Sequence, residues 1–270
     1  MNNAKNAVAL VTGASSGIGQ VTAKALVTAG YRVFGTSRKP ATSTPGVTML
    51  VCDVTDETSV QTLIEEIVKQ AGRLDLVVNN AGIGLIGAAE DSSIAQAQRL
   101  FDVNVFGVAR VVNAVLPIMR AQRSGRIINM SSILGLIPSP FNAYYASTKH
   151  AIEGYTESLD HEVRALGIRA LLVEPGVTRT AFEENLTRAD QPLPVYATER
   201  ARSETLMRKW VESGDLPQVV ADTVVKAATA TKPKLRYSAG KQSTQVSTLR
   251  RFMPERMVDS TLRKFNEFPA

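Results

Sequence analysis

Val8-Ala9-Leu10-Val11-Thr12-Gly13-Ala14-Ser15-Ser16-Gly17-Ile18-Gly19 is a short apolar run that breaks at once into a cluster of glycines. Behind it, Val21 to Ala29 alternates apolar and polar residues at helical spacing and stops at Gly30. Strand, glycine turn and helix in that order are the setting a dinucleotide site requires. Glycine lets the backbone come close to a pyrophosphate, and the free amides at the positive end of the helix bind its phosphates. The turn residues Gly13, Ser15, Ser16, Gly17, Ile18 and Gly19 are therefore candidate cofactor contacts. Gly13-Ala14-Ser15-Ser16-Gly17 also fits the Gly-x-Ser-x-Gly elbow of serine hydrolases, with Ser15 as nucleophile. That reading needs a histidine late in the chain, whereas the last one, His161, has more than one hundred residues after it.

Outward from this stretch, strands and helices alternate. Tyr31 to Thr36 reads as a second strand ending in Ser37-Arg38-Lys39. A site for NAD usually has a carboxylate here for the ribose 2′-hydroxyl, and none occurs from Tyr31 to Lys39. Ser37 and Arg38 stand where a 2′-phosphate would be bound, so NADP is expected over NAD. Val47 to Val54 reads as a third strand ending in Asp53-Val54; Thr55 or Asp56 caps a helix with apolar Val60, Leu63, Ile64, Ile67 and Val68. Leu74 to Val78 is a fourth strand running into Asn79-Asn80-Ala81-Gly82. Such alternation predicts right-handed crossovers in a parallel sheet, with ligands at the carboxyl ends of its strands.

Ile94 to Arg123 is a long helical stretch whose register breaks at Asn104-Val105-Phe106-Gly107. On local evidence Asn104 is a low-propensity residue that hydrogen-bonds neighbouring backbone. Arg126 to Met130 is a fifth strand ending in Ser131-Ser132, and Ile168 to Glu174 a sixth ending in Pro175-Gly176-Val177-Thr178-Arg179-Thr180. From Ala181 to about Pro217 the pattern loosens, as in a lid or an ordinary insertion. Val219 to Ala230 is a further helix, Leu235 to Ser238 a seventh strand, and Val246 to Phe265 a helical tail.

Between the fifth and sixth strands lies Tyr145-Ala146-Ser147-Thr148-Lys149, at the start of a helix that continues to about Gly167. Residues at i and i+4 share a helix face, so the phenol and the ammonium can meet one ligand. A free tyrosine keeps its proton to about pH 10, and a fixed cation one turn away favours the phenolate. Taken alone the pair is an ordinary surface couple. Thirteen residues earlier, Ser132 ends a strand at the same sheet edge, where it could donate to a substrate oxygen while Tyr145 transfers a proton.

The 270 residues, 44% hydrophobic and 21% charged, suit a globular α/β chain. No run approaches the roughly eighteen apolar residues that span a bilayer. Met1-Asn2-Asn3-Ala4-Lys5 leads straight to the first strand with no signal-peptide core, so a cytoplasmic protein without stable membrane insertion is expected. The single cysteine, Cys52, in Met49-Leu50-Val51-Cys52, reads as a buried strand residue; with only His150 and His161 beside it, metal-free chemistry is expected. Half of the net charge of +6 lies in residues 241–270, where Lys241, Arg250, Arg251, Arg256, Arg263 and Lys264 outnumber Glu255, Asp259 and Glu267. That balance is too modest to call for a nucleic-acid partner; it suits a solvated helix face, a cover for the sheet edge or a membrane-facing surface.

Thr12-Gly-x-x-x-Gly-x-Gly19, Asn79-Asn-Ala-Gly82, Asn104, Ser132, Tyr145-x-x-x-Lys149 and Pro175-Gly176 together resemble the short-chain dehydrogenase/reductase family over nearly the whole chain. The resemblance implies an α/β Rossmann-type fold over residues 1–270: a doubly wound parallel sheet of about seven strands with helices on both faces. To it are added a lid at about 181–217 and a tail at about 241–270. It also implies an NADP(H)-dependent oxidoreductase interconverting a ketone or aldehyde and an alcohol. Tyr145 would be the proton donor or acceptor, and Lys149 would lower its pKa and bind the nicotinamide ribose. Ser132 would hold the carbonyl oxygen, and Asn104 would hold a relay water through its backbone. Asp53 and Val54 would frame the adenine, Asn80, Ala81 and Gly82 would line the channel, and Pro175, Gly176, Thr178 and Thr180 would meet the nicotinamide end. The helices Ile94 to Arg123 and Ala143 to Gly167 would pair subunits into a homodimer or homotetramer. Leu85, Ile86, Leu134, Leu136, Ile137 and Pro138 would border a lipophilic pocket. The other functions that fit are an NADP(H) sensor without turnover and, more remotely, the hydrolase of Ser15.

Overall fold

The computed structural model describes residues 7–41, 45–182 and 185–267; the stretch from Met1 to Lys5 lies outside them. In chain order the elements are β1 Val8–Val11, α1 Gly17–Thr28, β2 Arg32–Ser37, β3 Val47–Val51, α2 Glu57–Ala71, β4 Leu76–Asn79, β5 Leu85–Ile86 and α3 Ile94–Phe101. Then come α4 Gly107–Gln122, β6 Gly125–Met130, α5 Ala143–Val163, β7 Ile168–Pro175, β8 Thr187–Arg188 and α6 Ala197–Glu212. Last are α7 Pro217–Thr229, β9 Arg236–Ala239, α8 Lys241–Phe252 and α9 Glu255–Phe265.

Seven strands make one parallel sheet in the order β3-β2-β1-β4-β6-β7-β9. All four residues of β1 are buried, because a parallel sheet is covered on both faces. On one side Leu10, Val77 and Ile127 pack with Val60, Leu63 and Ile64 of α2, with Val111 and Val115 of α4, and with Ile152 of α5. On the other, Val11, Val78 and Leu171 pack with Ala23 and Leu26 of α1 and Val220 and Val224 of α7. The chain builds outward from β1 to β3, then returns to lay β4 on the opposite side of β1. The carboxyl ends of β1 and β4 diverge at that reversal and open the crevice where doubly wound sheets bind ligands.

Several local readings need correction. The third strand stops at Val51, so Asp53 and Val54 lie on a loop; Cys52 is buried just beyond the strand, and Val51 on the edge strand is exposed. The register break in the long helix is a π turn, Asp102–Phe106, between α3 and α4. Read through that turn, Ile94–Gln122 is 29 residues long and apolar enough to cross a membrane, a run the sequence reading missed. Here Val108, Val111, Val112, Val115 and Met119 are buried against the sheet. The loose segment holds α6 and also β8, which pairs with β5. The tail breaks before Pro254 into two helices, since Met253, preceding a proline, is driven out of the helical region.

Asp160 ties the end of α5 to β7. Its buried carboxylate accepts from Arg164, from Arg169 Nε at 2.8 Å and from the Ala170 amide at 3.1 Å. Burial opposes its ionisation, but these bonds prevail and hold the carboxyl below its ordinary range. A carboxylate with a depressed folded-state pKa contributes stability above its unfolded pKa and loses it as the pH falls through the folded value. Asp160→Ala should therefore lose about 3–5 kcal/mol in urea denaturation at pH 7. That deficit should shrink below about pH 4.

Candidate active site

The glycine turn is held by its neighbour across the switch point. Thr12 Oγ1 accepts from the amides of Asn80 and Ala81, each at 3.0 Å, and Asn80 Nδ2 donates back to the carbonyls of Thr12 at 3.0 Å and Gly13 at 3.2 Å. This latch occupies the space a side chain at Gly19 would need: a Cβ there would stand 2.2 Å from the Gly13 carbonyl oxygen and 2.4 Å from Asn80 Nδ2. Gly17 has φ +54°, and Thr180, at 3.7 Å, is what a Cβ there would meet, so the two ends of the groove approach each other at that point. Ser16 caps α1 without a side-chain bond and no acid lies in the first turn. The helix amides are thus left for an anion, and Ser15 and Ser16 are exposed beside them, with Ile18 half-buried. These residues fit a dinucleotide pyrophosphate.

At the far end of the groove, Ser37 closes β2 and Arg38 is exposed next to it. Asp53 Oδ1 accepts from the amide of Thr55 at 2.9 Å and its hydroxyl at 2.8 Å. The Thr55 amide, opposed by burial and helped by Arg38 and Arg110, keeps this carboxyl below its ordinary range. Val54 is buried against Gly107.

Asn104 sits on the π turn, and its side chain is fully engaged: Oδ1 accepts from the Ile83 amide at 2.9 Å, while Nδ2 donates to the Ile83 carbonyl at 2.9 Å and toward Thr148 Oγ1 at 3.3 Å. It pins the strand following Gly82 to α5. The local reading of a backbone-bonding asparagine fits this arrangement.

Ser132 follows β6 and Tyr145 and Lys149 lie on the first two turns of α5, so the three meet at the carboxyl edge of the sheet. Ser132 hydrogen-bonds the Tyr145 phenol. Lys149 Nζ lies 5.6 Å from the Tyr145 ring centre and donates to the Met130 carbonyl at 2.9 Å. Burial pushes the phenol well above its ordinary value, with the Ser132 bond working against the shift. Burial also pushes Lys149 down to about 8, with Glu153 working against that. Burial thus favours the protonated phenol of Tyr145, with the Lys149 ammonium one helical turn away.

Pro175 ends β7, and the loop after it is fastened by distant segments. Val177 donates to Gln242 Oε1 at 3.0 Å, Asp215 to the Val177 carbonyl at 3.0 Å, and Thr178 Oγ1 to the Gly176 carbonyl at 3.0 Å. Gln242 belongs to α8, so the tail supports the Pro-Gly turn. Thr180 Oγ1 accepts from the Phe182 amide at 3.2 Å, and the Phe182 ring lies 6.1 Å from that of Tyr145. Leu85, Ile86 and Ile137 are buried, Leu134 and Leu136 half-buried, and Pro138 exposed. The hydrolase reading finds no base: His150 bonds the Ala146 carbonyl on α5, and among the described residues neither histidine hydrogen-bonds Ser15.

A family model for short chain dehydrogenase matches residues 7–191. The chain is 37% identical over 265 residues to 3-ketodihydrosphingosine reductase of Bacteroides thetaiotaomicron, covering 96% of this chain and 97% of that one. It belongs to the short-chain dehydrogenase family. Retinol dehydrogenase 8 of Bos taurus is 34% identical, with 91% and 85% covered. A short-chain dehydrogenase structure from Streptomyces avermitilis superposes with TM-score 0.81 at 31% identity, over 99% and 97% of the two chains. Two further solved relatives, each 25% identical, carry nicotinamide nucleotides. One from Burkholderia phymatum has NAD (TM-score 0.81; 97% and 97% covered), and ElxO has NADP (TM-score 0.73; 88% and 99% covered). Membership makes this chain an oxidoreductase that interconverts carbonyl and alcohol groups with a nicotinamide nucleotide.

Three parts of this dehydrogenase's site were absent from the residues singled out in the sequence. Thr12 appeared only as the head of a motif, whereas its hydroxyl carries the latch. Phe182 carried a signal, as a lone aromatic in a polar stretch. Gln242 carried none, because its contact spans 65 positions. Thr12→Val keeps the side chain's shape and removes the acceptor, stranding two amides at about 1–3 kcal/mol each. Urea denaturation should register that loss, and a fluorescence titration should register weaker dinucleotide binding.

Proposed function

We propose that this dehydrogenase uses NADP(H) to interconvert a lipophilic ketone or aldehyde and its alcohol. The observation that carries the reading is the meeting of Ser132, Tyr145 and Lys149 at the sheet edge, beside a helix N-terminus whose amides are free. The bound nucleotide supplies or accepts the hydride. Gly13, Ser15, Ser16, Gly17, Ile18 and Gly19 would hold its pyrophosphate, and Asp53 and Val54 its adenine. Asn80, Ala81, Gly82, Pro175, Gly176, Thr178 and Thr180 would hold the nicotinamide side.

Desolvation favours the protonated phenol of the half-buried Tyr145, the state that donates to a carbonyl oxygen. Ser132 donates to the same oxygen and orients it. Lys149, as a cation, holds the ribose and offsets charge left on the phenol after transfer. Asn104, which fixes the segment after Gly82 from a π turn, leaves its own main chain to carry a water toward Lys149. Arg38, exposed at the end of β2 with no carboxylate beside it on that strand, supports a 2′-phosphate.

The lipophilic substrate is supported by Leu85, Ile86 and Ile137 and by the Phe182 ring against Tyr145. Two relatives are named for 3-ketodihydrosphingosine and retinol, both poorly water-soluble molecules. Ile94 and Phe106, exposed on the outer side of the long helical stretch, support pairing of this face with a second copy.

The test is an absorbance assay with NADPH against long-chain and ring ketones and aldehydes, alongside fluorescence titration with NADPH and NADH. Tyr145→Phe should lower turnover by about 100-fold or more while leaving NADPH affinity within about twofold. Arg38→Ala should weaken NADPH by about tenfold, since a charge-assisted bond contributes about 1.5–3 kcal/mol, and leave NADH unchanged. Equal affinity for the two nucleotides in the native protein would overturn the NADP assignment. Turnover confined to small hydrophilic sugars would overturn the lipophilic one.

A further inference from the structure

The inward side of α5 continues below the catalytic pair. Tyr145, Lys149, Glu153 and Glu157 recur every four residues and form one stripe. Lys149 and Glu153 are buried, and Glu174 of β7 is wholly buried beside them. Arg236 of β9 serves all three carboxylates: Nε lies 3.0 Å from Glu153 Oε2 and 3.2 Å from Glu174 Oε1, and Nη1 lies 2.5 Å from Glu157 Oε1. The Glu174 contact is an ion pair without hydrogen-bond alignment, so Glu174 Oε1 has no hydrogen-bond partner among the described residues. Ser131 adjoins Met130, the residue that takes the Lys149 proton bond, and favours ionised Glu153. Gly135 closes this space, since a Cβ there would stand 2.5 Å from Ser131 Oγ and 3.2 Å from Glu153 Oε1.

One guanidinium cannot balance three carboxylates, and the cation that adjoins the excess is Lys149. Burying a lone ammonium would drive off its proton. We propose that Glu153 is a positioning residue that acts through Lys149: fixed one turn below by Arg236, it is the counter-charge that keeps the buried ammonium protonated while Tyr145 works. The inference rests on the function assigned to Tyr145 and Lys149 above.

The titratable groups that face Lys149 are Tyr145 and Glu153, both from α5; Glu153 in turn faces Arg236 from β9 and Glu174 from β7, while Ser131 and Ser132 after β6 are neutral. Burial, then the charge of Glu153, pushes Glu174 up to about 7. Burial raises Glu153 as well, against Ser131 and Arg236. The cluster therefore becomes more negative as the pH rises through neutrality, below the range in which Lys149 would release its proton. The sign is fixed: removing the negative charge lowers the Lys149 pKa, so the alkaline limit of activity moves to lower pH.

The decisive experiment measures kcat/KM for carbonyl reduction and, separately, NADPH affinity by fluorescence, both from pH 6 to pH 10, in the native protein and in Glu153→Gln, Glu153→Asp and Ser131→Ala. In Glu153→Gln the alkaline limb of both profiles should move about one pH unit lower, the effect of losing one opposite charge nearby. Glu153→Asp should restore most of the native profile. Ser131→Ala, a mild change that decides the matter should Glu153→Gln fail to fold, should shift the limb the same way by less. Superimposable profiles, or a uniform loss at every pH that Asp does not restore, would overturn the proposal. Absence of turnover in the native protein would overturn the assigned function instead, and the NADPH profiles would still decide the role of Glu153.

Discussion

The hydroxyl of Thr12 is the point on which the arrangement turns. A doubly wound sheet must part its two halves at the reversal between β1 and β4, which leaves loop amides there without strand partners. Thr12 accepts two of them at once, and Asn80 returns two bonds to the first loop. The crevice is thereby kept open at its mouth and closed at its base. The requirement for glycine at position 19 follows from the same bonds, because the oxygen and nitrogen they bring together fill the volume a side chain would occupy.

A second constraint comes from desolvation on the same edge. Folding the start of α5 against β6 buries Lys149 and half-buries Tyr145, and desolvation favours the neutral form of each. For the tyrosine this favours the protonated phenol. For the lysine it threatens the charge that gives the residue its use, which is why the buried carboxylate one turn further along matters. The same helix face thus carries the phenol, the buried ammonium and, one turn further on, a buried carboxylate of opposite charge.

What could be read directly in the sequence was whatever is local. The glycine turn, the Tyr-Lys spacing and the apolar strands each lie within a dozen residues, and each is found where its pattern implied. Even the π turn left a trace, in the register break at Asn104 to Gly107. Helix α6 left little, because it rides on the surface with Leu206 as its buried residue and so lacks an apolar stripe. The pairing of β5 with β8 joins two-residue strands about a hundred positions apart, beyond any periodicity. The Arg236 cluster is equally non-local: its partners lie on α5 and β7, and only the fold brings them together.

The segment that carries β8 and α6 is tied down more firmly than its sequence suggested. Asp91 is wholly buried and accepts from the Leu193 amide at 2.9 Å while pairing with Arg200; burial opposes its charge, but these bonds keep the carboxyl below its ordinary range. Asp190 takes both the amide and the hydroxyl of Ser93, and Gln96 reaches the Arg188 carbonyl. Lifting Leu193 and Arg200 off Asp91 would cost about 3–5 kcal/mol for a buried charge left alone. Turning the Phe182 ring would forfeit its contact with Tyr145, about 0.5–1.5 kcal/mol, and its packing over Gly84. Turning the Phe182 ring with the Asp91 clasp intact is therefore the less costly of the two movements. Helix α6 adds a further tie, through the Arg188–Glu204 pair.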